Sequence, residues 1–413
     1  MERLKRPLEG IKVVELATFI AAPSCTRFLA DLGAEVIKVE APAGDPLRYT
    51  AVNEGRPFGD MEDTSFTLEN TGKKSIVLNI KTEQGRKVLE ELIAEADVFV
   101  TNNRPASLRK NGLDYDTLHA RYPRLVFGFV SGYGEKGPDK DLPGFDFTSY
   151  FARSGILGTM FDINALPMLP IAGFGDHQVG MNLAAGILAT LYRARETGQG
   201  DQVVVSLFHS GVWDVAINLQ SAQYGVDYAQ YPIRRDQISN QLQLTHRTSD
   251  GRWVQLAMPQ YDKLYPKFVK EVLKREDLVS DSRFWPQVNL RNHSGEFYRI
   301  MVDEIAKMSY EELRSRMEAA DLPYALCQTW GEVLEDAQAW ESDILTKVAF
   351  PNGEERAMVR TPVIFRETEL PPYERGSFLG EQTREILEHL GYTSEQADAM
   401  IKSGEACGTK RIG

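Results

Sequence analysis

One aspartate stands among glycines directly ahead of an apolar helix: Gly173-Phe-Gly-Asp176-His-Gln-Val-Gly180, followed by Met181–Arg195 with Leu183, Ile187, Leu188 and Leu191 at helical spacing. Two roles suit Asp176. It is placed like a capping residue, able to accept from the free N–H groups of the first turn. It is also placed like a nucleophile, because glycines at 173, 175 and 180 clear room beside the carboxylate and a helix N-terminus keeps it ionised. Local spacing alone leans toward the cap.

Other groups could hold an anionic ligand. Lys73, Lys74 and Lys81 surround one strand, and Asn102-Asn103-Arg104-Pro105 with Arg109 and Lys110 follows the end of another. In an open α/β sheet, ligands settle at the carboxyl ends of strands. Gly132-Tyr133-Gly-Glu-Lys-Gly137 has the G-x-G-x-x-G spacing, but Pro138-Asp-Lys-Asp-Leu-Pro143 follows instead of a helix, so no nicotinamide site is expected. A glycine-rich loop can still bring its backbone close to a ligand. The P-loop, the G-x-S-x-G elbow and H-E-x-x-H are missing. The six histidines lack metal-ligand spacing, so no metal is expected; Cys25, Cys327 and Cys407 are too scattered for disulfides or zinc. Cys25 at a helix start could be an activated thiol, although packing of a small residue is the simpler reading.

These residues are positioned by an alternation of strands and helices. Ile11–Leu16, Glu35–Glu40, Ser75–Ile80, Val98–Thr101, Leu125–Val130 and Gln202–Leu207 read as strands; Ser24–Leu32, Thr82–Ala96 and Met181–Arg195 read as helices. The fold class expected is α/β, a Rossmann-like parallel sheet covered on both faces. Between 225 and 325 charged helical segments surround a short strand pair near Thr245–Met258. The expected division is a large domain of 1–224 and 326–413 with a smaller α+β domain inserted at 225–325. Strand signals return at Met358–Phe365, and an amphipathic helix is expected from Glu381 to Leu390.

With 47 basic and 59 acidic side chains, the net charge of −12 disfavours a nucleic-acid partner. No apolar run suits a membrane helix, and the charged N-terminus lacks the apolar core of a signal peptide, so a cytoplasmic location is expected.

Several stretches together resemble the class III (formyl-CoA and carnitine type) CoA-transferases. These are Gly10–Leu16 with Ala21-Ala-Pro23, Leu32–Glu40, Asn70–Lys81, Asn102–Pro105, Ser131–Gly134, and Gly175–Gly180 through Ala189 and Arg193 to Thr197–Gly200. The resemblance implies coenzyme A and acyl-CoA as substrates, an interlocked homodimer, and Asp176 as the carboxylate that accepts the acyl group. It places coenzyme contacts on Ile20, Ala21, Leu78, Lys81, Asn102, Asn103, Arg104, Lys110, Gly132 and Tyr133. The related 2-methylacyl-CoA racemases share the fold but carry Gly-His-Asp where this chain has Gly144-Phe145-Asp146, and Phe145 cannot carry a proton. A coenzyme-binding protein without turnover is the third alternative. Gly44–Thr50, Glu54–Pro57 and Gly134–Asp146 are similar to clostridial (R)-phenyllactate and other 2-hydroxy acid CoA-transferases. That likeness implies transfer to a 2-hydroxy acid ahead of a 2-hydroxyacyl-CoA dehydratase. Phe145 and Tyr150 could line an apolar acyl site, and Gln260 and Tyr261 stand nearest to the shielding loop of formyl-CoA transferase.

Overall fold

The computed structural model describes residues 4–225 and 231–413. Its first strands and helices are β1 (Lys12–Leu16), α1 (Ala21–Asp31), β2 (Glu35–Glu40), α2 (Thr64–Asn70), β3 (Lys73–Leu78) and α3 (Glu83–Glu95). There follow β4 (Val98–Thr101), α4 (Pro105–Asn111), α5 (Tyr115–Arg121), β5 (Val126–Ser131), α6 (Ile156–Thr159), α7 (Phe174–Thr197), β6 (Gln202–Ser206) and α8 (Leu207–Asp214). The sheet order is β3-β2-β1-β4-β5-β6, all parallel. A short strand, Ala406–Cys407, adds antiparallel to the β3 edge.

Alternation along β1 explains the two cores. Val13 joins the apolar layer with α1 and α7; Val14 and Leu16 join the opposite layer with α3 and α5. Glu15 points to the α1 side, where an apolar residue would be the ordinary choice. Helix α7 lies along α1, and Gly180 is the reason it can. A Cβ there would overlap Ser24 Oγ and lie 2.9 Å from Ala21 O and 3.0 Å from Cys25 N. Cys25 is fully buried and its thiol is pushed far up by burial, so it packs and is not activated.

The chain divides into two compact units. The first comprises 1–156, 169–215 and 337–413, and the second 157–168 with 216–336. The second span is wider than the expected 225–325, of which 226–230 lie outside the described residues. The second unit holds a three-stranded antiparallel sheet (Thr245–Arg247, Trp253–Leu256, Tyr324–Leu326) and helices including Tyr261–Lys267, Ser294–Ile305 and Tyr310–Ala319. Its own core is built from Phe268, Phe284, Phe297 and Met301. In the first unit the late strand is Glu355–Val359, paired antiparallel with Leu345–Ala349, so it stops short of the expected Phe365. The helix expected at 381–390 is realised as Thr383–His389. Among the described residues no helix is long and apolar enough to cross a membrane.

Candidate active site

Helix α7 starts at Phe174, seven residues before the expected Met181, because Gly173 turns the chain in at φ +81° and its carbonyl accepts from His177 N at 2.9 Å. Asp176 therefore sits inside the first turn and does not cap the helix. It is half-buried, and its acidity departs from the sequence expectation. Burial, then the charge of Asp146, push its pKa up to about 7 against the lowering effect of His177. The helix N-terminus does not hold this carboxylate in the usual range.

Asp146, His177 and Glu69 act on it. Asp146, 6% exposed, faces the amides of Gly173, Gly175 and Asp176, although neither of its oxygens makes a hydrogen bond of good geometry. Burial raises its pKa to about 6 despite those amides. His177 Nε2 lies 2.8 Å from Glu69 Oε1, and Glu69 is itself only 3% exposed. Burial works to lower His177, yet Glu69 and Asp176 outweigh it and the imidazole is raised. Tyr150 is buried against the turn at Gly175, with its hydroxyl donating to Asp214 Oδ2 at 2.6 Å. A Cβ at position 175 would overlap both Asp146 Oδ1 and the Tyr150 ring, so only glycine admits this approach.

The expected coenzyme-contact positions gather at the carboxyl edge of the sheet. Ile20 is the N-cap residue of α1, Ala21 opens that helix, and Ile20 Cδ1 would lie 3.3 Å from a Cβ on Gly173. Asn102, after β4, is fixed on the β1 loop: it accepts from Thr18 N at 3.1 Å and donates to Thr18 O at 2.8 Å. Asn103 donates its amide to Thr101 Oγ1, and Arg104 and Lys110 are exposed at the two ends of α4. Leu78 is buried at the end of β3, with exposed Lys81 just beyond it. Gly132 follows β5, packed against Gly144, and Tyr133 borders a cleft of about 490 Å³ with Lys136, Phe208 and His209.

Of the four expected substrate residues, Phe145 alone offers an exposed ring in the first unit. It is 60% exposed and meets Phe19 edge to face at 6.3 Å. Phe19 is 39% exposed and holds a left-handed φ of +63°, a strained state for an aromatic residue. Tyr150 supports α7 from below. In the second unit, Gln260 is exposed just ahead of a helix, whereas Tyr261 is core: its hydroxyl donates to Phe284 O at 3.0 Å and its ring stacks on Tyr265.

A buried charge cluster holds the Phe19 loop. Glu15 accepts from Lys38 Nζ at 2.6 Å, from Lys73 Nζ at 2.8 Å and from Thr26 Oγ1. Lys38 also pairs with Asp45 Oδ2 at 2.9 Å, and Asp45 Oδ1 accepts from Phe19 N at 3.0 Å. Lys73, expected among the groups that could hold an anionic ligand, is instead buried, and burial lowers its pKa to about 8. Phe19 and Glu69 were not singled out from the sequence, and the Gly44–Thr50 segment was noted without a role for Asp45. The acidic residue after Phe145 was the one visible sign of a second carboxylate. Among the described residues no group of acidic, histidine or cysteine side chains is arranged to hold a metal.

A parallel sheet whose carboxyl edge meets a glycine-flanked aspartate is the setting in which the comparisons with known proteins take their meaning. The model of CoA-transferase family III matches residues 8–383, and the chain belongs to that family. It is 48% identical over 403 residues to the cinnamoyl-CoA:phenyllactate CoA-transferase of Clostridium sporogenes, covering 97% of this chain and 98% of that one. It is 41% identical to the (R)-2-hydroxy-4-methylpentanoate CoA-transferase of Clostridioides difficile, covering 94% and 96%. Among solved structures, a CaiB/BaiF family protein from Brucella suis superposes with a TM-score of 0.81 at 27% identity, covering 94% of this chain and all of that one. The protein is thus a family III CoA-transferase, an enzyme acting on CoA thioesters.

Proposed function

We propose that this enzyme moves coenzyme A from an arylacryloyl-CoA to an (R)-2-hydroxy acid with an aryl side chain, (R)-phenyllactate above all, through covalent intermediates on Asp176. The observation that carries the reading is Asp176 itself: a half-buried carboxylate in the first turn of α7, with glycine on its flank and a pKa near 7. A carboxylate poorly solvated in this way is a stronger nucleophile than one in water. Its oxygen attacks the thioester carbonyl carbon, the C–S bond breaks, and the electron pair leaves on the CoA thiolate. The thiolate then attacks the aspartyl carbonyl of the anhydride, releasing the donor's carboxylate and leaving an aspartyl-CoA thioester. The acceptor acid repeats the sequence in reverse. No proton changes hands in these steps, and the thioester's free energy is conserved.

The coenzyme contacts are assigned to Ile20, Ala21, Leu78, Lys81, Asn102, Asn103, Arg104, Lys110, Gly132 and Tyr133. From β3 to β5 is four inter-strand steps, about 19 Å at ~4.8 Å each. An extended coenzyme spans that edge and a compact ligand does not. The exposed Phe19–Phe145 pair, at the loops flanking Gly173, supports an aryl acyl group. The enzyme acts as an interlocked homodimer in the cytoplasm, supplying a 2-hydroxyacyl-CoA dehydratase. The test is transfer from cinnamoyl-CoA to a panel of acids followed by chromatography. (R)-Phenyllactate is expected to give the highest kcat/KM; a preference for a short acid such as oxalate would overturn the assignment.

A further inference from the structure

A buried carboxylate without a well-formed hydrogen bond is unfavourable, and here one lies directly against the nucleophile's own turn. Asp146 is 6% exposed; the amides of Gly173, Gly175 and Asp176 favour its charge, yet neither oxygen makes a hydrogen bond of good geometry and burial prevails. The chain makes room for it: position 175 carries no side chain, and any Cβ there would overlap Asp146 Oδ1. Asp146 also opens a π-helical turn, Asp146–Ala152, an irregularity that recurs at functional sites.

We propose that Asp146 is a positioning residue that acts through Asp176, pressing a like charge against the free nucleophile so that the acylated, uncharged forms of Asp176 are relatively favoured. This inference rests on the reading of Asp176 as the acyl acceptor. In the anhydride and in the aspartyl-CoA thioester, position 176 carries no charge; the negative charge has moved to the thiolate or to the released acid. The repulsion is therefore felt in the free enzyme and relieved on acylation, which is differential stabilisation of the kind that speeds a step. The titration order agrees: Asp146 ionises at about 6, and its charge then helps to hold Asp176 protonated to about 7.

The other groups that face the pair do not replace this effect. Glu69 from α2 also opposes ionisation of Asp176, by a smaller amount than Asp146, while His177 favours it. His177 is itself held by Glu69 and influenced by Arg27 of α1. Tyr150, beneath Asp146, directs its phenol to Asp214 of α8.

The experiment compares wild type with Asp146→Asn, by the pH profile of kcat/KM and by mass spectrometry of the Asp176 adduct at a fixed acyl-CoA to CoA ratio. The expected result is an acid limb moved to lower pH by on the order of one unit and an adduct fraction about tenfold lower relative to free enzyme. Asp146→Glu, which keeps the charge, should return the limb toward wild type. If the Asn variant does not fold, Asp146→Ser supplies the same neutral comparison. Infrared titration of the wild type adds a reading without perturbing Asp146: two carboxyl bands should ionise in turn, with Asp176→Asn removing the later one. A purely structural role for Asp146 would lower activity and stability but leave the limb in place, and that outcome overturns the inference. No adduct in wild type would instead sink the reading of Asp176 itself.

Discussion

Replacing Glu15 by glutamine removes one charge from the cluster that secures the β1 loop, and the cost can be worked from the structure. Glu15 is fully buried, yet its pKa is pulled from 4.5 down to about 2, because Lys38 and Lys73 outweigh the burial that would raise it. A folded-state pKa below the unfolded value means stability that is present above pH 4.5 and lost as pH falls toward 2. The shift of 4.5 − 2, or 2.5 units, corresponds to about 3 kcal/mol at ~1.36 kcal/mol per unit. Removing one partner of a buried pair costs roughly 3–5 kcal/mol by the same physics, since the ammonium left behind is uncompensated. Lys73 suffers most, because Lys38 keeps its ion pair with Asp45 while Lys73 keeps hydrogen bonds only to the neutral Asn70 Oδ1 and Pro23 O, with Glu69 acting on it without an ion pair. Urea unfolding at pH 7.5 should show Glu15→Gln destabilised by about 3 kcal/mol, with Lys73→Met in the same chain recovering a large part of the loss. A Glu15→Gln change below ~1 kcal/mol, or a double variant no better than the single, would refute this account of the cluster.

Three further outcomes follow from the site. kcat/KM should fall about tenfold per unit as pH drops below the Asp176 value near 7, because the ionised form attacks; His177→Ala should move that limb to higher pH, since His177 lowers the pKa of Asp176. Gly180→Ala gains ~1 kcal/mol of helix propensity but overpacks Ser24, Ala21 and Cys25 at a cost of ~1–3 kcal/mol, so a chemical melt should show no gain and up to about 2 kcal/mol of loss. Phe145→Ala should lower kcat/KM for (R)-phenyllactate by about 2- to 10-fold relative to (R)-2-hydroxy-4-methylpentanoate, since an aryl contact is worth ~0.5–1.5 kcal/mol. Equal losses on both acids would remove Phe145 from the specificity argument.

The strands and the α1 and α3 helices were legible because period-two and period-3.6 patterns act locally, as in Val13/Val14 facing opposite layers. Asp176 was legible as a position, since glycines and an apolar helix bracket it. Its chemistry was not: the charge of Asp146 and the burial reach it across 30 residues of chain, and no local pattern carries that. The helix start was misplaced because Phe174–Gly180 contains three polar residues and two glycines, which read as a loop until Gly173 and the contact with α1 impose a turn. Lys73 read as a group for an anionic ligand because a lysine is rarely buried; its partner Glu15 lies 58 positions earlier, hidden in an apolar strand. Two residues, Ala406–Cys407, are too few to announce a strand, and only the open β3 edge makes one of them.

The central claim is that Asp176 becomes covalently acylated. The most direct measurement is peptide mass spectrometry of enzyme incubated with cinnamoyl-CoA and quenched with hydroxylamine. The account predicts a hydroxamate on Asp176, absent when CoA thioester is omitted and absent in Asp176→Asn. An unmodified Asp176 peptide from enzyme that is turning over, or full transfer activity in the Asn variant, would contradict it.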